Sequence, residues 1–173
     1  MTRLMPFATR NLKPLITSLM VMLLVSAIGC GFKLRGLYDI PEGLSRTTII
    51  SQQVDSGISQ ALKQALEAND VEVVNQAPYR IEILDERITR RTLSLDSSAR
   101  AAEYELRGEV TFQVTDQEGG YVLTERSLIS ERSYNVDSSN ITASESQDPI
   151  LRQQIHQDLA QQIMRQYIRI QLP

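Results

Sequence analysis

The segment Tyr104–Val114 constrains the fold more than any other. Tyr104, Leu106, Val110, Phe112 and Val114 share one parity, while Glu103, Glu105, Arg107, Glu109, Thr111 and Gln113 share the other. Side chains alternate across a strand with a period of two, so this run is a strand with one dry face and one wet face. A strand buried between two layers of helices reads instead as a continuous apolar run, and a half-wet strand belongs to an antiparallel pairing. Asp116-Gln117-Glu118-Gly119-Gly120 follows as a hairpin connection, with glycines available for positive φ. Tyr121 to Val136 then returns as a partner strand with noisier alternation.

Two helices supply the layer that covers the dry face. Ile58, Ala61, Leu62, Ala65 and Leu66 fall at i, i+3, i+4, i+7 and i+8, one apolar stripe. Asp55 or Ser56 can cap its start, and Asn69 can stop it. At the other end of the chain, Asp148-Pro149 offers a cap and a proline for the first helical position. Leu151, Ile155, Leu159, Ile163, Tyr167 and Ile170 then run down one side. His156 lies off that stripe and reads as a solvated helix residue, so His156→Ala is expected to change stability by no more than about 0.5 kcal/mol.

The remaining strands are shorter or less regular. Thr47-Thr48-Ile49-Ile50-Ser51 is a β-branched run and a candidate first strand. Val71 to Val74 is either the beginning of a strand or a packed connection. Tyr79, Ile81 and Ile83 alternate with Arg80 and Glu82, then the alternation slips near Asp85. A β-bulge, or emergence of the strand into solvent, produces such a slip. Asp96-Ser97-Ser98-Ala99 reads as a loop. The expected order is β-α-β-β-β-α, an α+β two-layer sandwich of two helices packed on a four-stranded, mostly antiparallel sheet.

The N-terminus belongs to a different class of segment. Arg3, Arg10 and Lys13 precede an uncharged run from Leu15 to Ile28, which ends at Gly29 and Cys30. A basic stretch, an apolar stretch of about 7–15 residues and small residues at the cut describe an export signal, whereas a spanning helix needs about 20 apolar residues. Ser26-Ala27-Ile28-Gly29-Cys30 resembles a lipobox, with Cys30 the only cysteine in the chain. That places a lipoprotein signal peptide at 1–29, an acylated N-terminus and tether at 30–46, and a single domain at 47–173. Acyl chains on Cys30 are then the membrane attachment, since two or more hold stably where one is marginal.

Composition and motifs exclude several functions. Removing Arg3, Arg10 and Lys13 from 18 basic residues leaves 15 against 21 acidic ones, a net of −6. Nucleic-acid binding leaves a concentrated basic surface, so no nucleic acid is expected as a partner. Thirteen of those 15 bases are Arg. No Cys/His cluster has the spacing of a transition-metal site, and no glycine-rich phosphate loop or nucleophile elbow is present. No enzyme, metal site or cofactor is therefore expected. Glu103, Glu105 and Glu109 line one strand face at positions where a glycosidase could pair carboxylates, but alternating charge is what a wet sheet face carries. Arg90, Arg91 and Arg100 flank the Asp96–Ala99 loop and could gather at one tip of the sheet. Arginines there could hold phosphate through forked hydrogen bonds. The alternative is three surface arginines, with Arg90 or Arg91 paired to Asp85 or Glu86.

Cys30-Gly31-Phe32-Lys33-Leu34-Arg35 resembles the opening of the LptE family of lipopolysaccharide-assembly lipoproteins. Ala102-Glu103-Tyr104, the return strand containing Arg132, the polar loop reaching Gln147-Asp148 and the long C-terminal helix are similar to that family in the same order. The resemblance implies two helices on a four-stranded sheet. It also implies a plug inside the LptD β-barrel that aids barrel assembly and binds lipopolysaccharide on its way to the outer leaflet. The implied location is the periplasmic face of the outer membrane, with which Gly31 after the cysteine agrees. Arg90, Arg91 and Arg100 are the residues that the resemblance makes lipopolysaccharide contacts, while Ser138 to Gln147 contains no Lys or Arg. The alternative is a purely structural scaffold for another envelope complex, with no lipid ligand.

Overall fold

Alternation in the central hairpin fixes the sheet, and the helices settle on its dry face. The structure, a computed structural model, describes residues 40–53, 56–136 and 146–172. A 3-10 turn at Glu42–Leu44 leads into β1 (Arg46–Ser51) and α1 (Gly57–Glu67). After α1 come β2 (Glu72–Val73), β3 (Tyr79–Leu95), β4 (Ala101–Asp116), β5 (Tyr121–Asn135) and α2 (Gln147–Tyr167).

The two-helix, two-layer expectation holds, but among the described residues the sheet has five strands in the order β2-β1-β3-β4-β5 and is mixed. β1 runs parallel to both β2 and β3, whereas β3, β4 and β5 are antiparallel. The four-stranded, mostly antiparallel reading fails at one place. Helix α1 carries the chain back to the starting end of the sheet, so β2 and β3 run the same way as β1, as a crossover connection requires. The Val71–Val74 segment, expected as the beginning of a strand or a packed connection, supplies the fifth strand, only two residues long.

β4 delivers the dry face as expected: Leu106, Val110, Phe112 and Val114 are all fully buried. Gly108 sits among them because α2 passes directly above it. A Cβ there would lie 2.2 Å from Ile155 Cγ2 and 3.3 Å from Leu159 Cδ1. The slip near Asp85 is a bulge, with the register shifting between Ile83 and Asp85. Ile81 and Ile83 face the helices before it. After it, Glu86, Ile88 and Arg90 pair with Val110, Gly108 and Leu106 and so return to the helix-covered side.

Ile58, Leu62, Ala65 and Leu66 of α1 are buried along the expected stripe. Ser56 caps the helix by accepting the Ser59 N–H, and Asn69 Nδ2 donates to the Ala65 carbonyl just past its end. Helix α2 buries Ile155, Leu159, Ala160, Ile163, Met164 and Tyr167. It begins at Gln147, one residue before the expected cap Asp148, which instead lies in the first turn. Pro149 is in that turn too, where an N–H has no partner inside the helix in any case. The helix ends at Tyr167; Ile170, read as part of its stripe, is buried from the segment beyond. Arg132 and Ser130 of β5 reach Asp158 of α2 at 3.5 and 2.7 Å, fastening the helix to the last strand. The fold also reaches back before Thr47: Leu44, read as tether, is fully buried in the core.

Candidate functional site

The three arginines singled out in the sequence all lie on the β3–β4 hairpin, but they do not converge. Arg90 and Arg91 are within β3, opposite Leu106 and Glu105, several residues before the turn. Adjacent strand residues point to opposite faces, so Arg90 faces the helices and Arg91 faces the open side. Arg100 stands in the turn itself, immediately before β4.

Each guanidinium lies within 4 Å of a carboxylate other than Asp85 or Glu86, and the one beside Arg90, Asp148, is shared with Arg152. The Arg90 guanidinium lies 4.7 Å over the Tyr104 ring, and Nη1 is 3.8 Å from Asp148 Oδ2 at the start of α2. Tyr104 in turn leans on Tyr134, ring centroids 5.8 Å apart. Arg91 Nε donates to Glu105 at 2.5 Å. Arg100 Nη2 is 2.9 Å from Asp96. The Arg100 backbone N–H, and with it the Ser98 N–H and the Arg100 side chain, hold the Asp96 carboxyl below its ordinary range against the opposing effect of desolvation.

Arg91–Glu105 is one rung of a ladder on the open face. Arg87 pairs with Glu109 at 2.9 Å and Arg107 with Glu131. Two of the three glutamates considered as a carboxylate pair, Glu105 and Glu109, are therefore engaged by arginines.

These pairs do not close the arginines to a ligand. Exposed ion pairs contribute only about 0.2–1 kcal/mol, and a guanidinium carries five N–H donors. A phosphate would have to use the donors these pairs leave over or displace the carboxylate, and displacement costs least at the surface turn of Arg100 and most at Arg91, whose partner Glu105 is buried. Because Arg90 and Arg91 project to opposite faces, one phosphate cannot take both in a fork.

The sequence reading missed one connected group. The bulge turns Glu86 toward the helices, where its Oε1 accepts from His156 Nε2 at 2.9 Å and its Oε2 accepts from Ser56 Oγ. His156 lies against Gly57, where a Cβ would sit 2.4 Å from the imidazole Cε1. Burial pushes the Glu86 carboxyl up, but hydrogen bonds from His156 and Ser56, the imidazole charge and the Ile58 N–H together hold it below its ordinary value of 4.5. A nucleophile must meet its base; here Ser56 and His156 both bond to the carboxylate, which makes a structural clasp of α1, β3 and α2. The visible signals were a capping residue at Ser56 and an acidic residue just past the slip at Asp85; nothing local indicated that α2 would bring a histidine to them.

His156 is thus not the solvated residue expected from its place off the stripe. His156→Ala should destabilise by about 1–2 kcal/mol, because it removes a partner from a mostly buried carboxylate. A depressed carboxyl contributes stability above its unfolded value near 4.5, and that contribution is lost as pH falls through the folded value. Glu86→Gln should therefore flatten the fall in urea midpoint as the pH drops below about 4.5. Parallel pH profiles for Glu86→Gln and the wild type would show that the clasp contributes nothing to acid sensitivity.

Cys30 and Gly31 lie outside the described residues, as does nearly all of the Ser138–Gln147 loop.

The model of a family described as LptE, lipopolysaccharide-assembly, matches residues 43–167. A Photorhabdus laumondii protein named LPS-assembly lipoprotein LptE is 25% identical over 159 residues, covering 90% of this chain and 86% of that one. A protein of the same name from Pectobacterium atrosepticum is 25% identical over 160 residues, with 90% and 86% covered. The crystal structure of a minor lipoprotein from Acinetobacter baumannii superimposes with a TM-score of 0.62 at 30% identity, covering 72% of this chain and 90% of that one.

Proposed function

The chain belongs to the LptE family of lipopolysaccharide assembly, and we propose on that footing that it is an outer-membrane lipoprotein whose folded part plugs the LptD β-barrel and contacts lipopolysaccharide. In this reading residues 1–29 are removed on export, and Cys30 carries the acyl chains at the periplasmic face. Residues 30–46 lead into the fold, and 47–173 form the body of the plug. The protein acts by binding and positioning, not by catalysis.

The family match over residues 43–167 carries the proposal, since it spans both helices and all five strands. The chemistry of the open sheet face supports it. The interior of an outer-membrane barrel is polar, and a face bearing the Arg87–Glu109, Arg91–Glu105 and Arg107–Glu131 pairs is suited to such a wall. Arg90, Arg91 and Arg100 are the proposed lipopolysaccharide contacts, acting as separate points along the β3–β4 hairpin.

Pull-down of the acylated protein from outer membranes, with its partners identified by mass, tests the barrel. Recovery of LptD in comparable amount is expected. Failure to recover any large barrel would favour a scaffold in another envelope complex. The anchor has its own readout, the intact mass of the membrane-extracted protein. It should equal a chain beginning at Cys30 plus its lipid, and a mature chain beginning elsewhere would sink the acylation.

A further inference from the structure

We infer that one corner of the open sheet face, between β1, the 74–78 link and the β4–β5 turn, is a binding site for a carboxylate. A cavity of about 320 Å³ lies there, lined by Thr48, Ile50, Asn75, Gln76, Arg80 and Gln117. Thr48 and Arg80 are direct neighbours across β1 and β3, so both side chains rise on the same face.

The polar groups at the floor are pinned but incompletely used. Arg80 Nη2 donates to the Asp116 carbonyl at 2.7 Å and to the Gln117 carbonyl at 3.4 Å, which fixes the guanidinium under the β4–β5 turn. Its Nε–H is shielded from solvent and meets no acceptor among the described residues, and the Thr48 hydroxyl beside it is in the same condition. Glu82, the next residue on that face, does not serve Arg80. Its two oxygens accept from Thr115 at 2.8 Å and Gln113 at 2.7 Å.

These features select the ligand. A half-buried guanidinium and a hydroxyl, both with hydrogen to donate, call for an anionic oxygen acceptor, and the planar fork of arginine matches a carboxylate. A phosphate dianion is disfavoured by Glu82. The Gln113 amide, with the Thr115 hydroxyl and the Arg80 charge, outweighs burial and holds the Glu82 carboxyl below its ordinary range and so charged. Ile50, 41% exposed at the rim, favours a carboxylate with an apolar group beside it. Such a group is found both on small free carboxylates and at the end of a partner polypeptide.

The test is nitrogen-15 NMR of the Arg80 Nε–H in the full chain in non-ionic detergent. The additions are propionate, acetylglycyl-leucine, its C-terminal amide and inorganic phosphate. A saturable shift is expected with the two carboxylates only. Thr48→Val should weaken propionate binding about tenfold, as loss of one hydrogen bond to a charged group implies. It keeps the side-chain shape and leaves the Arg80 contacts with the turn intact, which Arg80→Gln would not. Binding of acetylglycyl-leucine at least tenfold tighter than propionate would assign the site to a polypeptide end, and comparable binding to a small free carboxylate. No shift with either, or an equal shift with the amide or with phosphate, would overturn the site.

Discussion

Leu159→Ala should lower the free energy of unfolding by about 2–5 kcal/mol, and the geometry favours the upper half of that range. Leu159 is 1% exposed on the side of α2 that lies over β4. Its Cδ1 reaches to within 3.3 Å of where a Gly108 Cβ would be. The cost of such a truncation depends on how well the site can collapse. Here the floor is a glycine with no side chain to move in, on the central strand of a hairpin bonded on both sides. Neighbouring Ile155 is already seated on Gly108 and cannot shift without losing that contact. Leu62→Ala, in the fully buried stripe of α1, should fall in the same range. Exposed Gln157, two residues before Leu159, is the control, and Gln157→Ala should stay within about 0.5 kcal/mol. Urea unfolding at neutral pH gives all three values. An unchanged midpoint for Leu159→Ala would mean that α2 presents another side to the sheet.

The parts of the fold that were legible in the sequence are those whose signal is periodic and local. β4 alternates from Leu106 to Val114 because one of its faces is dry over that stretch, and both helices repeat a stripe that matches their period. The β3 bulge was legible as a broken alternation. Its consequence was not, because a slip says that faces exchange but not what each face then meets. Glu86 gained His156 and Ser56, and Arg90 gained Tyr104 and Asp148, through the placement of α1 and α2 above the sheet. Most of these contacts join residues tens of positions apart, and no short window of sequence contains them. The direction of β1 was lost for the same reason: six residues have one alternation whether their neighbour is parallel or antiparallel. The arginines were identified by type and by nearness to a loop. Nearness to a loop says nothing of face, and it is the alternation along β3 that separates Arg90 from Arg91.

The combined Arg91→Asp, Arg100→Asp variant should lose most lipopolysaccharide binding while keeping the fold, although either Arg→Ala change alone should weaken binding only a few-fold. Both arginine side chains are exposed, at 64% and 60%, and the Arg100–Asp96 pair lies in a surface turn; Glu105 is buried, so Arg91→Asp should lower the unfolding midpoint while leaving the chain folded. A phosphate contact at such a position is screened to the same degree, which keeps the single alanine effects small. Reversal of charge is different in kind. Asp at position 91 would stand beside Glu105, and Asp at position 100 beside Asp96, so two neutralised pairs become two carboxylate clusters that would repel a lipid phosphate brought to the hairpin. Well-formed hydrogen bonds to charged groups contribute roughly 1.5–3 kcal/mol, and the variant exchanges that gain for repulsion at both points. Binding is to be measured on the Cys30→Ser chain at low and high salt, with unfolding midpoints recorded alongside. Wild-type binding should weaken as salt rises, and the double variant should be weak throughout. Because Arg90 faces the helices and is untouched, a residual affinity that Arg90→Ala then removes would assign it the third contact. Equal binding by wild type and double variant would take the hairpin arginines out of the mechanism and leave scaffolding as the role of this surface.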